Sequence, residues 1–429
     1  MKVLVLAAGR SNRMKPVRDK NFLNFMGRPL IRRQIEALES AGFVDLILVG
    51  GAHNLGELGE VAREVQGVNV ELVEQKDLEQ GMCGAILAAK DLIKDGEIMV
   101  FSSNDVVDQT AFELVMQAAK DEDADSYILG KKVSEYFPGG YLETDENGFL
   151  KSIIEKPEPG TEPSDMVNLV VHLHKNSGKL IEALENVKSK NDDLYEVALG
   201  ELLKNGMKMK AVAYNGFWQP IKYPWHIQKV FRYLFEKTGE NISPSAKIAD
   251  SAVIKGPVVI GENVKILDGA VINGPVYIGD NSVIATNALV RESHVGENCV
   301  IGFGSEIARS YLGNNVWTHT NYVGDSVIGS NVSFGAGTVT GNLRLDEKNI
   351  FMNCDGKKVD TQSAKFGLVT GDDIRVGVNT SFMPGVKIGG GSFIGAGIVV
   401  GEDIEEDSFV RGKFELKISK NKEKADPRT

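Results

Sequence analysis

An aliphatic residue recurs every six positions in the second half of the chain, and this repeat constrains the fold more than any other sequence feature. It runs without a gap through Ile242, Ile248, Ile254, Ile260, Ile266, Ile272, Ile278, Ile284 and Val290. A period of six fits neither an α-helix nor an alternating strand, but it fits a triangular coil with three short strands per turn. The spacing therefore predicts a parallel β-helix in which each strand points one aliphatic residue into a continuous core.

The same phase extends beyond this run, with one interruption that predicts a long loop. It resumes at Val295, Ile301, Ile307 and Leu312, then at Val323, Ile328, Phe334 and Val339, and finally at Val376, Ile388, Ile394 and Val400. The stretch 342–365 breaks the period, and we expect it to leave the coil as an excursion loop, where binding sites often lie. We therefore predict a β-helix over 241–405, followed by a charged tail over 406–429.

The first half of the chain alternates strand-like and helix-like segments. Apolar runs predict strands at 2–8, 44–49, 70–74 and 97–102. Helical spacing predicts helices at 29–41, 84–93 and 110–120. This alternation is typical of an α/β domain with a mostly parallel, Rossmann-like mixed sheet covered by helices. We assign that domain to residues 1–223 and expect a connecting helix over 224–240.

The composition narrows the class of protein. A formal net charge of −11 argues against a large nucleic-acid surface, because such a surface needs a basic excess to bind phosphates. No apolar run approaches the roughly 20 residues needed to span a bilayer. The three cysteines show no spacing typical of a metal site or a disulfide framework. We therefore expect a cytoplasmic protein that binds neither nucleic acid nor a membrane.

A loop of small residues after the first predicted strand is a candidate phosphate-binding site. It consists of Leu6, Ala7, Ala8 and Gly9, and Arg13 follows closely. Small residues let backbone N–H groups approach an anion, and an arginine adds a planar fork of donors. This loop could therefore hold a nucleoside triphosphate.

The residues around this loop resemble the sugar-1-phosphate nucleotidylyltransferases, including the bifunctional N-acetylglucosamine-1-phosphate uridylyltransferases. The resemblance rests on ordered blocks at 6–14, Lys20, 27–30, Gln75 with Gly81, Asp105, Gly140, 155–157 and Asn168. It implies an α/β nucleotidyltransferase domain that couples a nucleoside triphosphate, UTP or dTTP, to a sugar 1-phosphate and releases pyrophosphate. Such an in-line attack brings two anions together, so their charge must be neutralised.

The resemblance also implies a role for each residue in these blocks. The nucleotide would be bound by Leu6, Ala7, Ala8, Gly9, Gln75 and Gly81. The triphosphate would be neutralised by the catalytic residues Arg13 and Lys20, and Asp105 would hold Mg²⁺, which prefers oxygen ligands. The sugar phosphate would be bound by Gly140, Glu155, Lys156 and Asn168.

The chain departs from the family pattern at several positions of this domain. Met82 stands where a glycine is expected, and Asp19 replaces the proline before Lys20. Pro220 occupies the place of an aspartate that supplies a second magnesium ligand in relatives. Because a proline side chain cannot bind a metal, one charge-neutralising ligand is lost here.

A second candidate site lies where the six-residue phase is interrupted. His319, Tyr322 and Asn342 resemble the acetyltransferase segment of the bifunctional uridylyltransferases, most closely the archaeal type with two domains. The resemblance implies that His319 is the base that deprotonates an amine attacking acetyl-CoA, a task suited to an imidazole. The amino-sugar phosphate would be bound by Tyr322, Asn342 and Lys348.

The resemblance also extends to the coil and its assembly. It implies a left-handed β-helix and, because the family's sites lie between neighbouring β-helices, a homotrimer. Ala336 and Ala396 would line the acetyl-CoA site, although the tight turns of the coil equally require small residues here.

Three functions fit the sequence. The leading hypothesis is a bifunctional enzyme that acetylates an amino-sugar 1-phosphate and then couples the N-acetylglucosamine 1-phosphate to UTP. The motif at 155–157 favours a single nucleotidyltransferase activity on glucose 1-phosphate, with a structural β-helix, whereas His319 with Tyr322 opposes it. Pro220 and Met82 motivate a third hypothesis, a trimeric sugar-nucleotide binding protein without catalysis.

Overall fold

The computed structural model describes residues 1–94, 96–189, 193–413 and 417–420. The charged tail predicted over 406–429 therefore lies partly outside the described residues. Within the described residues, an α/β region is followed by a coil of short parallel strands.

A mixed sheet forms the centre of the α/β region. Its strands are β1 Lys2–Leu6, β2 Asp45–Gly50, β3 Asn69–Glu74, β4 Ile98–Ser102, β5 Ser126–Lys132, β6 Gly140–Thr144, β7 Leu150–Glu155, β8 Met166–His174 and β9 Met209–Ala213. Strands β3, β2, β1 and β4 lie side by side in parallel, and β8 pairs antiparallel with β4. Beyond β8 follow the β6–β7 hairpin and the parallel pair β5–β9. The predicted mixed sheet is confirmed.

Helices cover both faces of this sheet. They are α1 Leu30–Ser40, α2 Leu55–Arg63, α3 Gly81–Ala88, α4 Lys90–Ile93, α5 Thr110–Asp121, α6 Ser177–Asn186 and α7 Leu194–Lys204, whereas α8 His226–Thr238 packs against the coil. Successive side chains of β1 point to opposite faces, so Val3 and Val5 enter one apolar cluster while Leu4 and Leu6 enter another. The helix expected over 84–93 is divided into α3 and α4. None of the helices in the described ranges has the length and apolar composition needed to cross a bilayer.

The coil has three faces of stacked parallel strands. The first, here called the joint face, contains Asn241–Ile242, Val258–Ile260, Val276–Ile278, His294–Val295, Tyr311–Leu312, Val327–Ile328, Val369–Thr370 and Lys387–Ile388. The second face contains Lys247–Ile248, Lys265–Ile266, Val283–Ile284, Val300–Ile301, Ser333–Phe334, Arg375–Val376, Phe393–Ile394 and Phe409–Val410. The third contains Val253–Lys255, Val271–Asn273, Leu289–Arg291, Glu306–Ala308, Tyr322–Gly324, Val339–Thr340, Ser381–Phe382 and Val399–Val400. The predicted left-handed β-helix is confirmed.

The six-residue repeat fills the interior of this β-helix. Ile260, Ile266, Ile272 and Ile278 are fully buried and belong to one continuous apolar cluster. Ile242 differs, because 45% of it is exposed on the first coil. The final strand, Phe409–Val410, pairs with Phe393–Ile394, so the coil continues past residue 405.

The two regions meet along the joint face in one apolar cluster. From the first region, α8 contributes Ile227, Val230, Phe231, Leu234 and Phe235. From the coil, the joint face contributes Val259, Tyr277, Tyr311, Val327 and Val369. The excursion loop reaches the same cluster through Ile350, Met352 and Cys354, which are buried beside Met14. Its centre is a hairpin of Phe351–Cys354 with Lys357–Asp360.

Candidate active site

The small-residue loop lies at the carboxyl end of β1 and is fixed by hydrogen bonds on both sides. The Ala7 N–H donates to Val49 O (2.8 Å), and the side-chain amides of Asn21 and Asn54 donate to Ala7 O (3.1 and 2.9 Å). Leu6, Ala7 and Ala8 are buried, whereas Gly9 is exposed and a Cβ there would meet nothing within 4 Å. The backbone at Gly9 is therefore open to a ligand.

Arg13 and Lys20 follow this loop on two short 3-10 helices, Asn12–Met14 and Lys20–Phe22. Arg13 is exposed, and its guanidinium lies 5.6 Å from the centre of the Tyr223 ring. Lys20 is buried, and burial together with the nearby Arg13 charge lowers the pKa of its ammonium to about 8. A buried ammonium with a lowered pKa is stabilised by any anion that reaches it, which suits a phosphate site.

Asp19, the residue that replaces the expected proline, organises this segment. Its carboxylate accepts hydrogen bonds from the Asn21 N–H (3.0 Å) and from the Asn54 side chain (2.7 Å). It also accepts from the Ser11 hydroxyl (3.3 Å). The substitution therefore exchanges a rigid proline for a hydrogen-bonded cap in front of Lys20.

Asp105 is a buried carboxylate on the ribbon Asp105–Val107, which pairs antiparallel with Trp218–Pro220. The Trp218 indole N–H donates to Asp105 Oδ1 (2.8 Å). Burial raises the pKa of Asp105, while Trp218, Lys222 and Lys20 act in the opposite direction. Pro220 lies directly opposite Asp105 in the register and offers no side-chain ligand.

The donor set around Asp105 fits magnesium brought by a nucleotide rather than a cage made by the protein. Within the described ranges, no group of three His, Cys, Asp or Glu side chains is placed to hold a metal. Mg²⁺ usually keeps several waters and is held by one or two carboxylates together with substrate phosphates. A single buried carboxylate next to a phosphate site meets that requirement.

Lys222 is a residue that the sequence analysis missed. Its ammonium donates to Pro138 O (3.0 Å) and lies 4.2 Å from the centre of the Phe137 ring. Burial lowers the pKa of Lys222 to about 8, against the effect of Asp105, which raises it. A lysine two residues after Pro220, set among apolar neighbours, was the signal that could have revealed it.

The residues expected to bind the sugar come together around Gly140. A Cβ on Gly140 would lie 3.1 Å from Glu155 Oε2 and 3.4 Å from Asn168 Cβ, so a larger residue would crowd both side chains. Asn168 Oδ1 bonds to His172 Nε2 (2.7 Å), which fixes the amide orientation. The Lys156 ammonium lies 3.1 Å from Glu155 Oε1.

Gln75 and Gly81 form the remaining part of the predicted nucleotide site. The Gln75 amide is buried, and its NH₂ donates to Asp77 O and Gly81 O, both at 2.9 Å. The side chain therefore shapes the loop 77–81. Arg10 pairs with Glu79 (2.8 Å) and links this loop to the small-residue loop.

The candidate acetyltransferase residues lie along the third face of the β-helix, with His319 in the turn before one strand and Asn342 after the next strand. Tyr322 stands on the third face, and the Asn342 amide donates to its hydroxyl oxygen (3.0 Å) and also to Asp325. Asp325 also accepts two hydrogen bonds from the Arg309 guanidinium, at 2.6 and 2.7 Å. His319 is exposed in the turn before Tyr322, where its backbone N–H donates to Asn321 Oδ1 (2.7 Å).

The turns that precede the strands of the third face, including the turn of His319, stack on one another. Gly337 N–H donates to Thr320 O (2.9 Å), Asn379 N–H to Ala336 O (2.9 Å) and Gly397 N–H to Val378 O (2.8 Å). Ala336 and Ala396 therefore lie in the same column of turns as Thr320, the neighbour of His319. Both alanines are exposed. Lys348 is exposed in the excursion loop, and no contact of its side chain with Tyr322 or Asn342 is recorded within the described residues.

Two protein families match successive parts of the chain. The family described as MobA-like NTP transferase domain matches residues 3–239, and the one described as GMPPB C-terminal domain matches 238–359. A solved structure of apo-UDP-glucose pyrophosphorylase is 19% identical and covers 55% of this chain and 98% of its own, with a TM-score of 0.48.

Two curated relatives match along almost the entire chain. The "Bifunctional protein GlmU" of Methanococcus maripaludis strain C7 is 32% identical, over 98% of this chain and 100% of the relative. The "Bifunctional sugar-1-phosphate nucleotidylyltransferase/acetyltransferase" of Sulfurisphaera tokodaii is 33% identical, over 96% of this chain and 100% of the relative. Identity at this level along almost the entire chain shows that it is an enzyme of the bifunctional sugar-1-phosphate nucleotidylyltransferase/acetyltransferase family.

Proposed function

We propose that the chain acetylates an amino-sugar 1-phosphate with acetyl-CoA and then couples the resulting N-acetylglucosamine 1-phosphate to UTP. The observation that carries the proposal is the gathering of opposite charges at one site. Lys20 interacts electrostatically with Arg13, Asp105 and Lys222, and Lys222 interacts in turn with Glu155 and Lys156. The residues proposed to bind the nucleotide and those proposed to bind the sugar are thus electrostatically connected.

In the nucleotidyl transfer, a phosphate oxygen of the sugar 1-phosphate attacks the α-phosphorus of UTP. The bond from that phosphorus to the β-phosphate oxygen breaks, and pyrophosphate leaves. Arg13 and Lys20 bind the triphosphate, Lys156 meets the sugar phosphate, and Glu155 and Asn168 hold the sugar. Mg²⁺, held by Asp105 and the phosphates, would supply further charge neutralisation.

In the acetyl transfer, the amine of the sugar attacks the thioester carbonyl of acetyl-CoA. The carbon–sulfur bond breaks, the CoA thiol leaves, and His319 accepts the amine proton. Tyr322 and Asn342 orient the sugar, and the column containing Ala336 and Ala396 offers a small-residue surface for the pantetheine arm. Lys348 of the excursion loop is proposed to bind the phosphate.

Two single variants test the separation of these activities. We expect Asp105→Ala to lose pyrophosphate release while thiol release continues, because it removes the magnesium ligand but leaves the β-helix intact. We expect His319→Ala to show the opposite pattern. The two products are measured separately in the presence of Mg²⁺, acetyl-CoA, UTP and glucosamine 1-phosphate or its N-acetyl form.

The outcomes distinguish the candidate functions. Loss of both products in either variant, with the native size retained, would contradict two separate sites. Pyrophosphate release without any thiol release from the unmodified protein would favour the single-activity nucleotidyltransferase, the function that the motif at 155–157 also fits. Family membership among enzymes argues against the non-catalytic binding protein.

A homotrimer through the β-helix is part of the same proposal. Trp317, Phe393 and Phe409 on the second face are 51–59% exposed. On the third face, Val339 is 40% exposed and Val399 is 68% exposed. Exposed apolar side chains stacked along a coil favour association with another copy. Light scattering should give three times the chain mass of 46.6 kDa, and a monomer at micromolar concentration would contradict this assembly.

A further inference from the structure

Lys222 lies between the residues proposed to bind the nucleotide and those proposed to bind the sugar. It follows the strand Trp218–Pro220, whose last residue is paired with Asp105. Its ammonium is held by Pro138 O on the segment that leads to Gly140. Asp105 is its strongest charged neighbour, followed by Arg13, Glu155 and Lys156.

The hydrogen bonding of this ammonium leaves capacity for a ligand. An ammonium has three protons. Within the described ranges, Pro138 O is the hydrogen-bond acceptor recorded for it. The Phe137 ring covers one side at 4.2 Å and favours a cation there.

Cations and carboxylates lie close together around Lys222. Arg13, Lys20 and Lys156 all influence the same region, together with the carboxylates of Asp105 and Glu155. Because Arg13, Lys20 and Lys222 repel one another, an anion that enters between them relieves the repulsion. The place where a second carboxylate would assist a metal is occupied by Pro220, which carries no charge.

We infer that Lys222 is a catalytic residue of the nucleotidyl transfer, whose ammonium contacts the phosphates at the reacting centre and replaces part of the charge neutralisation lost with the second carboxylate ligand. This inference rests on the proposed function, since it assigns a further residue to the same site. The ligand class is a polyphosphate nucleotide on one side of the ammonium and a sugar phosphate on the other.

The alternative to a catalytic role is a structural one, in which the hydrogen bond from Lys222 to Pro138 O only joins two segments of the site. Lys222→Gln separates the two roles. The glutamine amide can still donate to a carbonyl, but it carries no charge. Lys222→Arg keeps the charge, and Lys229→Gln, on an exposed lysine of α8, is a matched control.

The test measures UTP binding by calorimetry in EDTA, where no metal contributes, with uridine as the ligand that lacks phosphates. We expect Lys222→Gln to weaken UTP binding by about tenfold to a hundredfold, the usual effect of losing a hydrogen bond to a charged group. Uridine binding should not change. Lys222→Arg and Lys229→Gln should bind UTP within about threefold of the unmodified protein.

Unchanged UTP binding by Lys222→Gln would overturn the inference and leave Lys222 as a tether. An equal loss of UTP and uridine binding would overturn it as well, since the variant would then have damaged the shape of the site. If the unmodified protein neither binds UTP nor releases pyrophosphate, the proposed function itself fails. The two failures are therefore distinguishable.

Discussion

Asn342 shows how much one side chain can organise in the second candidate site. It stands where the coil gives way to the excursion loop, and its amide holds both the Tyr322 hydroxyl and the Asp325 carboxylate. Asp325 is in turn bound by Arg309. These contacts arise from three different parts of the sequence, so the orientation of Tyr322 depends on the loop.

We expect Asn342→Ala to raise the KM of the amino sugar for thiol release by about tenfold, because a polar pair with a lost partner costs roughly 1–3 kcal/mol. Pyrophosphate release should be unchanged. Steady-state kinetics of both products check this prediction. Asn349→Ala, on an exposed asparagine of the same loop, is the control and should leave both products unaffected.

The residues of the first site were predicted unevenly. Gly140, Glu155 and Asn168 are brought together, as the resemblance implies. Lys222 was missed because its contacts with Pro138 and Phe137 join segments about eighty residues apart along the chain. A local motif carries no information about such a contact, whereas a glycine needed for close packing does leave a mark in the sequence.

At the scale of elements, the six-residue repeat predicted the coil because each inward position fills the same apolar core. Ile260, Ile266, Ile272 and Ile278 are buried because coils lie both below and above them. Ile242 follows the same spacing but belongs to the first coil, where only one neighbouring coil covers it. The repeat thus predicts which side chains point into the coil, while their burial depends on the coils on either side.

This difference has a measurable effect on stability. We expect Ile278→Ala to lower the free energy of unfolding by about 2–5 kcal/mol, because it leaves a cavity in a packed core. Ile242→Ala should cost less than about 1 kcal/mol, since nearly half of that side chain is already exposed. Urea unfolding followed by circular dichroism measures both. Equal losses would contradict the view that the first coil is a poorly covered end.

The excursion loop marks the limit of prediction for elements. Its departure from the coil was visible in the broken period, but its hairpin and its packing beside Met14 were not. No periodic pattern connects Met352 or Cys354 to a residue more than three hundred positions earlier. Long-range packing of an irregular segment has no short-range signature.

At the scale of the whole molecule, His294 lies in the joint between the two regions. Its Nε2 accepts from the Met26 N–H (3.2 Å), and its Nδ1–H donates to Leu312 O (3.1 Å). Both ring nitrogens are used by the neutral imidazole. Burial lowers the pKa of His294 to about 3.

We expect acid to weaken the molecule through this histidine. The unfolded chain takes up the proton near pH 6.5 and the folded one near 3, so the stabilisation is complete above 6.5 and is lost as the pH falls towards 3. In this pH range, the free energy of unfolding falls by up to about 1.4 kcal/mol per pH unit for each such histidine. Burial lowers the pKa of His174 and His226 to about 4, so both add to the loss with the same sign.

A matched pair of unfolding series checks this expectation. Urea unfolding of the unmodified protein and of His294→Gln is compared at pH 7, 6 and 5. The variant, which lacks the titrating ring, should lose less stability over that interval. Parallel pH dependences would show that the buried ring in the joint does not contribute.

The apolar joint between the two regions also limits how one half of the chain can be exchanged for that of a relative. Its aromatic and aliphatic side chains come from α8, from the joint face and from the excursion hairpin, and the hairpin lies beside the segment that carries Arg13. A gene fragment encoding either catalytic half alone would leave this surface bare. Exchanging one half between relatives would therefore require transferring the matching hairpin and aromatic residues as well. We expect the two halves to be exchanged successfully only together.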